Sequence, residues 1–413
     1  MPISLRCEEL QPGMKLHDTL IARGRMLLQA GCVVSWEHIT LLRRRYPKLV
    51  IRVGEPILDD VVEFEDDSHE REVARTVTRT VVKCMANVRE RFSARASLRE
   101  MNVSALQASV ANVIEYLNAN RPAAALLDAC LDSESYVSEH PGNVFYLCML
   151  LGSAVRDYVA AERDRQTMAR NLKPNFAASL TPLGLGAMFT DLGMLPLQDL
   201  YKVERPINEE EWTAVRKHPV TGVEMLPDDF SALGKMVVRT HHENYDGTGY
   251  PEGLAGDKLH VFTRIVRIAD AYDAATAKHV YKEAKSPARV LWEMTYGPYH
   301  RFYDPVLMTV FARLIQPFPI GAKLRLADGR YCVVTRYNRR KPFLPTVVIA
   351  FDKDGNRLPN ENLQGPFDLE QRGDLRVRTF AGEDVSFIYR TTSIESAPPR
   401  PAVFASMFQA AFP

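Results

Sequence analysis

Residues 241–251 concentrate side chains that can bind a metal ion, in the order HHENYDGTGYP. About twenty residues later, Asp270 and Asp273 lie three positions apart in a segment with helical periodicity, so both carboxylates project from one helix face. Imidazole nitrogens and carboxylate oxygens are the usual ligands of divalent first-row metals. A His-His pair alone is more often an ordinary surface or core pair. Because this pair adjoins a rigid Gly-Tyr-Pro turn and further histidines lie upstream, we predict a metal site.

These motifs resemble those of the HD-GYP family of metal-dependent phosphohydrolases, which belongs to the HD superfamily. The family pattern HHExxDGxGYP is matched in full by residues 241–251, and the pattern IADxYDAxT by residues 268–276. The resemblance covers about residues 130–315. It implies hydrolysis of cyclic di-GMP to pGpG or GMP by a metal-activated hydroxide.

The resemblance also implies a centre with two metal ions, in which a carboxylate and a hydroxide bridge the cations. Carried over position by position, its ligands are His140, Asp191, His218, His241, His242 and Asp270. Asp191 is the implied bridging and catalytic carboxylate, acting with metal-bound hydroxide. The three histidines from 218 to 242 complete one metal site, and His140 with Asp270 serves the other.

Three positions depart from the family pattern. Thr190 stands where the superfamily has its histidine, and a hydroxyl is a poor ligand for a transition metal, so one site is expected to bind more weakly or stay empty. Met194 replaces a lysine that would contact phosphate. Tyr136 replaces a glutamate that ligates a third metal in some members, so we expect no third metal.

The resemblance assigns substrate contacts to several further residues. The family's arginine is replaced by His279, while Lys282 keeps the second positive charge. Arg264 could form either a structural ion pair or a phosphate contact, and the sequence leaves both open. The turn residues Gly249, Tyr250 and Pro251 are expected to shape a substrate groove and a partner-binding surface.

Three more carboxylates near the motifs are expected to support the site without ligating metal. Glu243 and Asp246 are predicted to orient the histidines. Asp273 is predicted to be structural or to support a ligand, because the third-metal glutamate is missing.

The elements that carry these residues predict a mainly α protein, with an all-helical HD-type core, a small N-terminal α/β unit and a small C-terminal β appendage. Residues 36–45 and the run that begins with Val73, Val77 and Val81 have helical periodicity, 19–22 and 26–28 flank a predicted hairpin, and 323–326, 331–337, 346–351 and 375–379 are β-rich. The acidic run 59–67 is expected to be a linker or helix lead-in, and a solvated charge run is the favoured description. The predicted units are 1–60, a helical lead-in 61–130, the phosphohydrolase domain 131–316, a β domain 317–395 and a tail 396–413.

Composition favours a cytoplasmic protein. The formal net charge is +1, which gives no reason to expect nucleic-acid polymers or membrane insertion. Six scattered cysteines without a CxxC pair argue against disulfides and thiolate zinc, and suit a reducing compartment. The N-terminus lacks the apolar region of a signal peptide. The sequence is compatible with both a monomer and a homodimer.

Two functions therefore follow from the sequence. The first is a cyclic di-GMP phosphodiesterase, of full or reduced activity, with two divalent metals such as iron or manganese, or one if the site beside Thr190 is empty. The alternative is a degenerate HD-GYP protein that binds a nucleotide or a partner such as a diguanylate cyclase. A third possibility is slow hydrolysis of another phosphoester with one metal.

Overall fold

The computed structural model describes residues 2–22, 25–46, 49–54, 63, 65–93, 98–120, 136–169, 179–202, 207–277 and 285–389. Twelve α-helices and eleven strands fall within these ranges. The helices gather in the middle of the chain and the strands at its two ends. The predicted mainly α fold, with β-containing terminal regions, is thus confirmed.

The N-terminal unit is a small sheet covered by one helix. Its elements are β1 Pro2–Arg6, β2 Lys15–Leu16, β3 Leu20–Ala22, β4 Arg25–Leu28, α1 Trp36–Arg45 and β5 Val50–Gly54. Strands β1, β5 and β2 form an antiparallel sheet, and β3 pairs with β4 in the predicted hairpin. The Ser35 side chain caps α1, which begins and ends where the sequence pattern placed it.

Eleven helices form the central body. They are α2 Ser68–Ser93, α3 Val103–Ala119, α4 Tyr136–Ala154, α5 Arg156–Ala169, α6 Thr181–Met188, α7 Glu209–Arg216, α8 His218–Met225, α9 Ala232–Thr240, α10 Val261–Thr276, α11 Pro287–Thr295 and α12 Pro305–Leu314. Short 3-10 turns cover Cys7–Glu9, Leu98–Glu100, Leu192–Lys202, Gly256–Lys258, His300–Phe302, Asn360–Asn362 and Ser386–Tyr389.

Helix α4 lies at the centre of this body, with residues 140–151 buried. It packs against α2 and α10, and one hydrophobic core runs from Val73 on α2 to Ile315 after α12. The apolar positions of α2 recur every three or four residues, so they form the stripe that faces this core. The predicted lead-in 61–130 therefore contributes α2 and α3 to the same core as the site.

The C-terminal sheet contains six strands in the order β11-β10-β6-β7-β8-β9. Its strands are β6 Lys323–Leu326, β7 Tyr331–Arg336, β8 Thr346–Phe351, β9 Gln364–Asp368, β10 Val377–Phe380 and β11 Glu383–Asp384. The sequence predicted β6, β7, β8 and β10. It missed β9 and β11 because β9 contains Gly365-Pro366 and β11 has only two residues.

The two β-containing units share a core. Val333, Ala350 and Phe351 of the C-terminal sheet pack with the apolar residues of the N-terminal unit. The end of the acidic run joins the same junction: Glu65 accepts from the Tyr337 backbone N–H at 2.8 Å. Asp67 is 4% exposed and binds Arg71, so a solvated run is the wrong description for Glu65 and Asp67, whereas Asp66 is exposed. The carboxylates of Glu65 and Asp67 accept hydrogen bonds that hold this junction together.

No single helix in the described ranges is long and apolar enough to cross a membrane. Only the bent pair Glu139–Ala154 and Arg156–Gln166 passes the length and composition test together, across an 86° break. The domain boundaries given above stay a prediction.

Candidate metal centre

Five separate parts of the helical body bring the predicted ligands together. His140 lies in α4, and Asp270 lies in α10, the helix packed against it. Asp191 follows α6, His218 begins α8, and the pair His241-His242 follows α9. Of these, the imidazoles of 140, 218 and 241 are at most 2% exposed, so the site lies inside the fold.

A close backbone contact fixes the segment after Asp191 against the start of α8. A Cβ atom at Gly193 would lie 2.1 Å from the carbonyl oxygen of His218, which no side chain can tolerate. Glycine at this position therefore allows the two ligand-bearing segments to touch. The Asp191 side chain then lies beside the His218 ring, with Oδ1 3.6 Å from Nε2.

His218, His241 and His242 form a cluster in which one ligand atom from each lies within 4.8 Å of the others. The Nε2 atoms of His218 and His241 are only 3.1 Å apart. His242 completes the group, and its ring stacks on Tyr250 with centroids 4.8 Å apart. We call these three residues the three-histidine cluster.

Backbone carbonyls determine which nitrogens of the cluster can bind a cation. Nδ1 of His218 lies 2.7 Å from the Val215 oxygen, and Nδ1 of His241 lies 2.8 Å from the Val238 oxygen. Because a carbonyl only accepts, each Nδ1 must carry the proton, and each neutral ring presents its Nε2 lone pair. Two such lone pairs 3.1 Å apart repel each other, and a divalent cation would satisfy both. The donor set therefore fits a metal.

Burial keeps the rings of His241 and His242 neutral. Burial, followed by the neighbouring His218, lowers the pKa of His241 to about 4. Burial, and then His241, also place the pKa of His242 well below its ordinary value. Neutral imidazole is the form that ligates metals, so the cluster is ready for a cation at neutral pH.

The other side of the centre is held by ion pairs. His140 Nδ1 lies 2.7 Å from Asp273 Oδ2, and its Nε2 lies 3.1 Å from Asp270 Oδ1. Burial disfavours the charged His140, but the hydrogen bonds to these two carboxylates raise its pKa well above the ordinary value. Burial also opposes ionised Asp270, yet His140 and the nearby histidines lower its pKa overall. We call His140, Asp270 and Asp273 the His140 side.

Asp191 lies between the two groups. Its Oδ2 is 3.7 Å from His140 Nε2, and its Oδ1 is 3.6 Å from His218 Nε2. One carboxylate oxygen thus faces each side, which is the placement that a bridging ligand needs. The Asp191 side chain is 24% exposed, so solvent reaches it.

Thr190 does not reach the ligands through its hydroxyl. Its side chain is fully buried, and Oγ1 donates to the Ala187 carbonyl oxygen at 3.3 Å. Met194 is 8% exposed and packs inside the protein. Tyr136 opens α4, and the structure does not describe its side chain; the expected absence of a third metal stays a prediction.

The predicted role of Glu243 and Asp246 needs correction. Glu243 is fully buried and accepts hydrogen bonds from the backbone N–H groups of Glu252, Gly253 and Leu254, at 2.6 to 3.1 Å. Asp246 accepts from the backbone N–H and hydroxyl of Thr248. These hydrogen bonds hold the loop after the histidines and involve no imidazole. The residue that orients an imidazole is Asp273, as the sequence suggested.

The substrate contacts predicted from sequence fall into three groups. Arg264 is buried and pairs with Asp304 at 3.0 Å and Glu162 at 2.9 Å, so the ion-pair alternative is the one that the geometry supports. Residues 249–251 lie beside the cluster, where the Tyr250 N–H reaches the His242 oxygen at 3.3 Å. His279 and Lys282 lie outside the described residues.

Sequence reasoning missed two residues that support the centre. Asn143 donates to Asp273 at 2.9 Å and so fixes the carboxylate that holds His140. Arg267 donates through Nε to Asn244 at 2.8 Å and thereby ties α10 to the loop. A usable signal was spacing: Asn143 lies one helical turn after His140, and Arg267 one turn before Asp270.

Comparison with known proteins agrees with this geometry. The family model described as "HD domain" matches residues 158–307. A cyclic di-GMP phosphodiesterase of Pseudomonas aeruginosa is 33% identical over 171 residues, which are 41% of this chain and 41% of that protein. A cyclic di-GMP phosphodiesterase of Vibrio cholerae is 31% identical over 162 residues, or 35% of this chain and 32% of that protein.

A third relative carries a different substrate in its name. The 3'3'-cGAMP-specific phosphodiesterase 2 of Vibrio cholerae is 34% identical over 125 residues, 27% of this chain and 24% of that protein. The chain spans less than half the length of each of these relatives.

Residues 158–307 of the helical body, which carry Asp191, the three-histidine cluster and Asp270, therefore match an HD domain. With the complete HHExxDGxGYP motif and these relatives, this part of the chain is similar to the HD-GYP family.

Proposed function

We propose that this protein is a metal-dependent phosphodiesterase that hydrolyses cyclic di-GMP to pGpG and GMP. The observation that carries the proposal is the three-histidine cluster, whose Nε2 atoms at 3.1 Å face each other beside Asp191. Relatives named as cyclic di-GMP phosphodiesterases support the substrate.

The metal ligands would be His140, Asp191, Asp270 and the three-histidine cluster, and we propose two divalent ions of iron or manganese. If the His140 side stays empty, one ion remains, at the cluster. When bound, such ions neutralise phosphate charge and lower the pKa of a water molecule. Imidazole and carboxylate donors suit several first-row metals, so the supply of metal determines which one is bound.

The chain's own residues would position the water and the substrate. Asp191 faces both sides and is partly exposed, so its carboxylate would accept a hydrogen bond from the attacking water and aim it at phosphorus. Asp273 and Asn143 would hold His140 in one orientation, as outer partners do for metal-bound imidazole. Glu243 would keep the loop that carries Tyr250 in place.

Tyr250 and Arg216 line the approach to the cluster. The Tyr250 ring stacks on His242, and the Arg216 guanidinium lies 5.6 Å from the centre of that ring. Burial raises the pKa of Tyr250, so its hydroxyl stays a neutral hydrogen-bond donor. An exposed arginine above a phenol can contact a phosphate oxygen, which would offset the loss of the lysine at Met194. His279 and Lys282 stay proposed phosphate contacts.

The test is a turnover assay with the purified full chain after loading with Mn²⁺ or Fe²⁺ under anaerobic conditions. Cyclic di-GMP and 3'3'-cGAMP are supplied in parallel, and chromatography with mass detection follows pGpG and GMP. We expect linear product from cyclic di-GMP, no product after chelation, and no product from Asp191→Ala. Asp229→Ala, which changes an exposed aspartate outside the site, is the matched control. A loaded chain that leaves cyclic di-GMP intact contradicts the proposal.

Thr190 supports a second candidate function. Because its buried hydroxyl is bound to Ala187, the centre has one imidazole fewer than the superfamily pattern. A degenerate protein would bind the nucleotide, or a partner such as a diguanylate-cyclase domain, without turnover. Calorimetry with cyclic di-GMP separates the two: binding without product supports the regulator, and binding with product supports the enzyme. Either role places the protein in the cytoplasm, where its scattered cysteines stay reduced.

A further inference from the structure

A cavity of about 550 Å³ lies where the N-terminal unit meets the first helix of the central body. Its walls come from the end of β2, from β5, from the lead-in to α2 and from one face of α2. The volume is in the usual range of small-molecule sites. None of the metal-centre residues lines it.

Four arginines line this cavity: Arg52, Arg71, Arg75 and Arg79. The last three recur every fourth residue on α2 and so form a row on one helix face. Arg75 is half-buried and Arg79 is exposed at the rim. The Nε atom of Arg52 is buried without a hydrogen-bond partner among the described residues, which is rare for a guanidinium. Arginine rows of this kind suit phosphate groups.

Four carboxylates share the same walls: Asp18, Asp66, Asp67 and Glu72. Two of these carboxylates already form ion pairs with arginines: Asp67 binds Arg71 at 2.7 Å, and Asp18 binds Arg52 at 3.0 Å. The cavity walls thus carry equal numbers of carboxylates and guanidinium groups. A ligand that carries only negative charge would therefore be repelled by the carboxylates as well as attracted by the guanidinium groups. A ligand with phosphate at one end and N–H donors at the other would satisfy both.

We propose that this cavity is a regulatory site for a guanine mononucleotide. Its phosphate would bind the arginine row at Arg75 and Arg79. Guanine carries adjacent N1–H and N2–H donors, which match the two acceptor oxygens of a carboxylate such as Glu72. Adenine presents no such pair. The binding site is independent of the activity proposed above, although GMP as a product of that activity would make it a feedback site.

Helix α2 connects this cavity with the metal centre. A Cβ atom at Gly142 would lie 3.0 Å from the Thr78 carbonyl oxygen and 3.3 Å from Val82 Cγ2, so α2 and α4 touch backbone to backbone there. Gly142 is two residues after His140 on the same helix. Thr78 lies one residue before Arg79. A ligand that shifts the arginine row would therefore press on the helix that carries His140.

The other end of the cavity is anchored to the C-terminal sheet. Asp67 accepts from the Tyr337 hydroxyl at 3.2 Å, and Glu65 pairs with Arg339 at 2.7 Å. The lead-in to α2, which forms one wall of the cavity, is therefore held against the C-terminal sheet.

Calorimetric titration of the full chain with GMP tests the site, with AMP and inorganic phosphate as comparison probes. We expect saturable GMP binding that persists in Asp191→Ala, whose metal centre is disabled. Arg75→Ala/Arg79→Ala should weaken it at least tenfold, and Lys83→Ala, which removes an exposed cation of the same helix outside the cavity, should change it less than twofold. If the double variant fails to fold, Arg79→Glu at the exposed rim serves in its place.

Three results would overturn the inference: no saturable GMP binding to Asp191→Ala, binding that the arginine variants leave unchanged, or AMP and phosphate binding as tightly as GMP. Hydrogen exchange tests the connection. GMP should change exchange within residues 136–154 in the parent chain and not in the double variant, and an unchanged α4 would overturn the regulatory role. Turnover of cyclic di-GMP is measured separately, so loss of the proposed activity and loss of this site are distinguishable.

Discussion

The three-histidine cluster and the His140 side use the same residue types but hold them in opposite charge states. In the cluster, backbone carbonyls accept hydrogen bonds from Nδ1 of His218 and His241, and burial keeps the His241 ring neutral. On the other side, two carboxylates hold His140 and favour its charged form. A cation can enter the cluster directly, whereas at His140 it must displace a proton. The difference predicts two metal positions of unequal affinity.

Removing an imidazole from the cluster should have the largest effect. We expect His241→Ala to abolish metal binding at the cluster and to lower turnover by more than about 100-fold, because a lost ligand costs more than a lost outer partner. Metal content by mass spectrometry and the cyclic di-GMP assay check this. His69→Ala, which removes an exposed histidine of α2, should leave both unchanged. Full metal content in His241→Ala would rule out the cluster as the stronger site.

Weakening the His140 side should have a smaller and local effect. Asp273→Asn removes the charged acceptor of the His140 Nδ1 proton but keeps the size of the side chain. Metal affinity on that side should fall by about 10- to 100-fold, as for other outer partners of ligating histidines, while the cluster retains its metal. Competition with a chromogenic chelator measures both affinities. Equal losses on both sides would mean that the two sides are not separate.

Lowering the pH should release metal from the His140 side first and from the three-histidine cluster second. Metals bind unprotonated imidazole, so each side loses its ion as the pH falls through the pKa of its ligands. The pKa of His140 is raised, so the His140 side should lose its metal at the higher pH. The pKa of His241 is about 4, so the three-histidine cluster should lose its metal at a lower pH. Dialysis between about pH 8 and about pH 3 should therefore give two steps in metal per chain. A single step at high pH would contradict the assigned charge states.

Substitutions at Thr190 should have the smallest effect. Thr190→Val keeps the shape and removes a hydroxyl that already binds Ala187, so metal content should not change. Thr190→His should raise occupancy of the His140 side and increase turnover several-fold. Loss of metal in Thr190→Val would show that the hydroxyl is a ligand. A Thr190→His protein with two metals and unchanged turnover would point to Met194 instead.

The residues that the sequence proposed as ligands lie in short motifs, and the fold brings them together. Residues 241–251 and 268–276 each form one local element, and the fold brings His140 to Asp270 by packing two apolar helices. Periodicity also predicted α1 and four strands of the C-terminal sheet.

Long-range contacts could not be predicted from local patterns. Nothing in the spacing indicated that Glu65 would bind Tyr337, more than 250 residues away, or that Val333 would enter the N-terminal core. Glu243 seemed an orienter of histidines, yet its carboxylate accepts from backbone groups nine to eleven residues later. Such roles depend on how a loop closes, and that geometry has no signature in residue type.

The most direct test of the central claim is a crystal structure of the full chain grown with Mn²⁺ or Zn²⁺, with anomalous diffraction measured at the metal edge. A peak bonded at about 2.0 to 2.2 Å to Nε2 of both His218 and His241 is predicted, stronger than any peak beside His140. Absence of a peak at the cluster, or a sole peak between His140 and Asp270, would contradict the account.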